Sequence, residues 1–125
     1  MNILVGTDGS DGAARAVEFA AMMSAQVKAR LKIIHIVTVN DPPLDANTDY
    51  ASIARARAEA LGAVQVQSES LPGNDIAATI IDAAHRDDAD LIVVGKRGLS
   101  RMAGLLLGSV SQTLVSAAPC AVTVV

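Results

Sequence analysis

The chain has 125 residues, of which 51% are hydrophobic, 18% charged and 2% aromatic, and its formal net charge is −3 at pH 7. This length predicts one domain with one hydrophobic core, over residues 1–125. The apolar residues never run for the roughly 18 to 20 positions that a membrane-spanning helix needs. A slightly acidic chain with few aromatic side chains also argues against nucleic-acid binding, which favours a broad basic surface with stacking rings.

The two ends of the chain predict a cytoplasmic protein. The N-terminus lacks a basic region and reaches a carboxylate at Asp8, so we expect no signal peptide. The single cysteine, Cys120, cannot form an intrachain disulfide, and its apolar surroundings predict a small buried hydrophobic residue.

Short apolar runs alternate with Ala-rich, helix-forming stretches along the whole chain. Residues 64–70 alternate apolar and polar side chains, which is typical of a strand at a sheet edge, whereas residues 90–94 are largely apolar and suit a central strand. We predict strands at residues 2–7, 31–38, 64–70, 90–94 and 120–125. We predict helices at residues 12–28, 49–61 and 109–117, and a further helix opened by residues 72–75 and closed by the charged residues 86–88.

Strands separated by helices of this length predict a parallel sheet with helices on both faces, because βαβ crossovers are right-handed and cover the sheet. Such a sheet binds its ligand at the carboxyl ends of the strands, where the strand order reverses. Two segments are candidates for this position: residues 6–9 after the first strand, and residues 95–111 after the fourth.

The second segment carries a glycine pattern. Gly95, Gly98 and Gly108-Ser109 obey the spacing G-x2-G-x9-G-[S/T] without a mismatch. Glycines allow a backbone to approach phosphate oxygens closely, and free N–H groups at the start of the following helix attract an anion. From Leu91 onward the chain has three basic residues and no acidic one, a local charge of +3, whereas the first ninety residues carry −6. The pattern and the charge together predict a phosphate site.

With this motif, the opening Thr7-Asp8-Gly9-Ser10 and the terminal residues 121–125, the chain resembles the ATP-binding branch of the universal stress proteins. The resemblance implies an adenine nucleotide alpha hydrolase-like fold, a three-layer αβα sandwich whose five parallel strands are ordered 3-2-1-4-5. It also implies a homodimer paired through the last strand, and ATP, with Mg²⁺, as the ligand. The segment between the second and third strands is short for this family.

The resemblance implies a role for each of twelve residues. Gly6, Thr7 and Asp8 would lie near the adenine, and Val37 would line the adenine slot. The ribose and phosphates would be held by Val94, Gly95, Arg97, Gly98, Gly108, Ser109, Val110 and Ser111.

Several of these side chains also have an ordinary structural explanation. Asp8 precedes Gly9-Ser10 and could organise a turn through an Asx-type hydrogen bond. His35, inside an apolar strand, is more typical of a hydrogen-bonded structural residue than of a base or ligand. No His, Cys or carboxylate lies at metal-ligand spacing from it, so we predict no structural metal site.

Three functions compete at this point. The first is an ATP-binding stress-response and signalling module with no catalytic residues and little or slow hydrolysis. The second is a slow ATPase, although the chain has no G-x4-G-K-[S/T] loop. The third is a nucleotide-free dimeric interaction module of the same fold. Protein partners are unknown.

Overall fold

The computed structural model describes residues 1–96 and 107–125. Strands and helices alternate as predicted, with most boundaries within one or two residues of the expectation. The elements are β1 (Asn2–Gly6), α1 (Asp11–Val27), β2 (Arg30–Val37), α2 (Tyr50–Ala60), β3 (Val66–Pro72), α3 (Ile76–Arg86), β4 (Leu91–Val94), α4 (Ser109–Ala117) and β5 (Ala121–Val124).

The five strands form one parallel sheet in the order β3-β2-β1-β4-β5, which confirms the predicted order. From β1 the chain moves outward through β2 to β3, then returns to the other side of β1 for β4 and β5. Because right-handed crossovers that progress in opposite directions place their helices on opposite faces, α1 and α2 cover one face and α3 and α4 the other. The switch point lies between β1 and β4.

The core has two halves, one on each face of the sheet. In β1, Ile3 and Val5 pack toward α1 and α2, whereas Leu4 packs toward α3 and α4. The helices meet the sheet largely through alanines such as Ala16 and Ala20, which are fully buried. Small side chains bring the helices close to the sheet, so a chain with 2% aromatic residues can still bury a continuous core. Within the described residues, no helix is long and apolar enough to cross a membrane.

The third strand differs from its prediction. It covers Val66–Pro72 rather than residues 64–70, so Pro72 ends a strand and does not open α3, which begins at Ile76 with Asp75 as its N-cap. The N–H of Gly73 donates to the carbonyl of Val37 at 3.1 Å. Pro72, one residue earlier, therefore has its nitrogen on the outer side of the strand. Since β3 is an edge strand, as predicted, no donor is needed there.

Candidate ligand-binding site

A cavity of about 520 Å³ opens at the carboxyl edge of the sheet, at the switch point between β1 and β4. Its volume is within the range of small-molecule and cofactor sites. It is lined by the turn after β1, the end of β4, the starts of α1 and α4, and apolar side chains of β2 and α3. The lining residues are Gly6, Thr7, Asp8, Ser10, Ala13, Ile34, Ile36, Ile76, Ile80, Val94, Gly95, Lys96, Gly108, Ser109, Val110 and Ser111.

The turn between β1 and α1 is shaped by its own side chains. The N–H of Ser10 donates to Oδ1 of Asp8 at 2.9 Å, and the N–H of Gly9 donates to Oγ1 of Thr7 at 3.2 Å. Ser10 then caps α1 by accepting from the N–H of Ala13 at 3.2 Å. Asp8 therefore organises the turn, as an Asx motif does, and it also lines the cavity.

The start of α4 differs from the starts of the other helices. Ser10, Asp49 and Asp75 each accept a backbone N–H at the N-cap of α1, α2 and α3, whereas the N-cap of α4 is Gly108, which has no side-chain cap hydrogen bond in the part of the chain that the structure describes. The first backbone bond of α4 runs from the N–H of Gln112 to the carbonyl of Gly108, at 3.0 Å. Residues 109–111, whose amides precede this ladder, line the cavity. A helix start of this kind favours an anion.

Ser111 connects α4 to the end of β4. Its side chain is buried, with 3% of its surface exposed, and its Oγ donates to the carbonyl oxygen of Gly95 at 3.1 Å. Ser111 thus fixes the start of α4 relative to the strand that precedes the glycine motif. Its hydroxyl has a structural partner in addition to its position at the cavity.

An apolar wall completes the cavity, and the sequence reasoning did not include it. Ile34 and Ile36 lie two residues apart on one face of β2, and Ile76 and Ile80 lie one helical turn apart on α3. Both spacings are visible in the sequence, but nothing local indicates that the two faces converge. Ser10 and Ala13 were also missed, and the exposed Lys96 contributed to the predicted basic charge but was not named as a site residue.

Nine of the twelve predicted site residues line this cavity: Gly6, Thr7, Asp8, Val94, Gly95, Gly108, Ser109, Val110 and Ser111. Val37 is not among the lining residues; Ile34 and Ile36 of the same strand lie there instead, and the carbonyl of Val37 accepts from Gly73. Arg97 and Gly98 lie outside the described residues.

His35 lies on the face of β2 opposite Ile34 and Ile36. It is buried, with 5% of its surface exposed, and its ring meets that of Tyr50 at a centroid distance of 5.1 Å and an interplanar angle of 64°. The expectation of a hydrogen-bonded histidine is not met at Nδ1, which has no partner among the described residues. Across residues 1–96 and 107–125, no group of three or more His, Cys, Asp or Glu side chains is arranged to hold a metal ion.

The fold and the cavity define a parallel three-layer α/β domain with a ligand-sized site at the switch point of its sheet. Within that class the chain belongs to the universal stress protein family, whose family model matches residues 1–125. It is 37% identical over 132 aligned positions to a universal stress protein of Thermus aquaticus, covering 98% of this chain and 96% of that one. It is 36% identical to a universal stress protein of Mycobacterium tuberculosis, covering 86% and 84%.

Solved structures show the same architecture. The universal stress protein UspA from Lactobacillus plantarum superposes with a TM-score of 0.84 at 26% identity, covering 100% of this chain and 97% of that one. A universal stress protein in complex with cAMP superposes with a TM-score of 0.81 at 30% identity, covering 100% and 96%.

Proposed function

We propose that this protein binds ATP in the cavity between β1 and β4 and acts as a nucleotide-dependent stress-response module. The observation that carries the proposal is the start of α4, which has no side-chain cap among the described residues and whose residues 109–111 line a cavity of nucleotide size. Phosphate groups would accept from the amides of these residues and benefit from the helix dipole. The complex of a relative with cAMP supports an adenine nucleotide as the class of ligand.

A nucleotide has a flat, largely apolar base at one end and charged phosphates at the other, and the cavity has a region suited to each. The apolar wall of Ile34, Ile36, Ile76 and Ile80 suits the faces of a purine ring. Lys96 and the start of α4 suit the negatively charged phosphates. Thr7 and Asp8 add polar groups at the turn after β1, which can orient the base and ribose.

Magnesium would be held chiefly by the phosphates. Asp8 is the single carboxylate among the described lining residues, and its Oδ1 already accepts from Ser10. One carboxylate fits the usual Mg²⁺ arrangement, in which protein ligands are few and phosphate oxygens and water complete the shell. We expect hydrolysis to be slow, because the sequence has no G-x4-G-K-[S/T] loop to position the phosphates for attack.

The first test identifies the ligand directly. Protein purified without added nucleotide is denatured, and released small molecules are identified by chromatography and mass. The emptied protein is then titrated with ATP and Mg²⁺ in a calorimeter. Released or titratable ATP supports the proposal, whereas no binding at millimolar ATP favours the nucleotide-free interaction module.

Two variants locate the site. Gly108→Val places a branched side chain where α4 begins, and we expect ATP affinity to fall about tenfold or more. Lys96→Gln removes a charge, and we expect about a twofold to fivefold loss for ATP but no change for adenosine. Val115→Ala, on the exposed face of α4, is the control. Unchanged ATP affinity in a folded Gly108→Val protein would place the site elsewhere.

We also propose that two copies pair through β5, as the family resemblance implies. The N–H of Val125 donates to the carbonyl of Val94, and the carbonyl of Val125 accepts from the N–H of Lys96, both at 2.9 Å. Both backbone groups of Val125 therefore face β4. By alternation along a parallel strand, Val124 directs its N–H and carbonyl outward. An edge of this kind is a template for pairing with a second chain.

Proline at Val124 tests the pairing. It removes an outward N–H without removing a bond to β4, so Val124→Pro should shift the mass measured by light scattering from dimer to monomer. Val124→Ala removes more of the side chain than proline does but keeps the N–H, and it should remain dimeric. A wild-type protein that is monomeric at all concentrations would refute the dimer.

A further inference from the structure

The first residue of α2 lies against the turn that shapes the cavity. Gly9 has φ +80°, a conformation that side chains disfavour, and a Cβ placed on it would stand 2.6 Å from Cδ1 and Cε1 of Tyr50. The ring of Tyr50 therefore occupies the space that any other residue at position 9 would fill. This contact joins α2 to the turn, although the two segments lie far apart in the sequence.

The ring of Tyr50 also contacts the sheet. Its ring makes a T-shaped contact with His35, whose side chain is almost fully buried on β2. Aromatic pairs at this separation and angle are favourable. Tyr50 thus lies against both His35 of β2 and the backbone of Gly9.

The segment between β2 and Tyr50 is ordered by local side-chain hydrogen bonds. Oδ2 of Asp41 accepts from the N–H of Thr38 at 2.7 Å, directly after β2, and Oδ1 of Asp45 accepts from the N–H of Asn47 at 2.8 Å. Asp49 then caps α2 by accepting from the N–H of Ser52 at 3.2 Å. These local bonds define the path from the end of β2 to the first residue of α2.

We propose that Tyr50 is a positioning residue for the nucleotide, acting through Gly9 on the turn that carries Thr7, Asp8 and Ser10. A glycine in the left-handed region is free to leave it, and ordering such a turn on binding would cost conformational entropy. A ring packed on Gly9 orders the turn before the ligand arrives, which raises affinity. Tyr50 itself is not among the cavity-lining residues. This inference rests on the proposed nucleotide binding.

The test compares three variants of the full chain by calorimetry with ATP and with adenosine. Tyr50→Ala should weaken both ligands by the same factor, about threefold to tenfold, because the lost ring carries no charge and acts on the turn. Tyr50→Phe keeps the ring and should remain within twofold of wild type. Ile53→Ala, at a half-exposed position of the same helix, should also remain within twofold and controls for general weakening of α2.

A spectroscopic signal separates positioning from general stability. The Hα and N–H resonances of Gly9 lie beside an aromatic ring, so they should move in unliganded Tyr50→Ala and stay near their wild-type positions in Tyr50→Phe and Ile53→Ala. Folded Tyr50→Ala that binds ATP as tightly as wild type overturns the inference and leaves the proposed function intact. Wild-type protein that binds neither ligand refutes the proposed function, and this inference with it.

Discussion

Gly95, directly after β4, lies against Gly12 in the first turn of α1. A Cβ placed on Gly95 would stand 2.5 Å from the carbonyl oxygen of Gly12 and 3.2 Å from the amide nitrogen of Ala13. The start of α1 and the end of β4 therefore meet backbone to backbone. The first glycine of the motif is required by this packing, whatever the cavity binds.

We expect Gly95→Ala to destabilise the protein by about 1 to 3 kcal/mol, because the added methyl group must push α1 away from β4. Gly6→Ala is the matched control: a Cβ there would lie 3.5 Å from Cδ1 of Ile80, an ordinary contact. Urea unfolding of both variants measures the difference. Equal stability of the two would show that the start of α1 can move at little cost.

Ser111→Ala should cost about 1 kcal/mol of unfolding free energy, because the buried hydroxyl donates to the carbonyl of Gly95. Thr113, on the exposed side of the same helix, donates to the carbonyl of Ser109 at 2.9 Å, and Thr113→Ala should change stability much less. Thermal unfolding without nucleotide checks the prediction. A loss in Thr113→Ala as large as in Ser111→Ala would contradict a special role for Ser111.

A cluster of ion pairs joins β2, β3 and the last residue of α3, and it predicts that the protein is less stable at acidic pH. Glu69 pairs with Nζ of Lys32 at 2.8 Å and with Nη2 of Arg86 at 3.0 Å. The hydrogen bond from Lys32 is the main cause that lowers the pKa of the Glu69 carboxyl, with Arg86 adding to it and partial burial opposing it. The pKa of this carboxyl is therefore lower in the folded state than in the unfolded state, where it is about 4.3. Such a group stabilises the fold at pH values above the unfolded pKa. The stabilisation is lost as the pH falls through the folded pKa.

Glu69→Gln should therefore be less stable than wild type near pH 7, by up to about 1 kcal/mol, and the difference should disappear at acidic pH below the folded pKa. Glu59→Gln, which removes the charge from an exposed pair with Arg55, is the matched control variant. Unfolding free energies measured across the pH range test this. A gap between Glu69→Gln and wild type that stays constant as the pH falls would contradict the titration of Glu69 as its cause.

The unpartnered Nδ1 of His35 gives a prediction about stability. His35→Phe keeps an aromatic ring against Tyr50 and removes both ring nitrogens, including the unpartnered Nδ1, so we expect stability to be unchanged or raised by about 1 kcal/mol. His35→Ala, which removes the ring, should be destabilised by roughly 2 kcal/mol or more. Similar losses in both variants, measured by urea unfolding, would indicate that the imidazole makes a hydrogen bond after all.

Apart from the strand order 3-2-1-4-5 and the switch point that follows from it, which the family resemblance implied, the sequence by itself determined the order of elements along the chain and the parallel sheet. It did so because each signal is local. The signals are apolar runs such as residues 90–94, the helix-forming stretches between them, and glycines after helices, such as Gly62, which follows α2 with φ +101°. The glycine motif likewise indicated α4 and the start of the cavity. These features depend on residues that are neighbours in the chain.

The tertiary structure decided which distant residues meet. Ile36 and Ile80 share one wall, Tyr50 covers Gly9, and Gly95 touches Gly12, and none of these contacts has a local signature. The extension of β3 to Pro72 was decided in the same way, by pairing with β2 at a sheet edge where the ring needs no donor. Such contacts form between segments that are far apart in the sequence. They are decided only when the helices pack against the sheet, because only then do the shapes of the facing side chains and the distances between them become fixed.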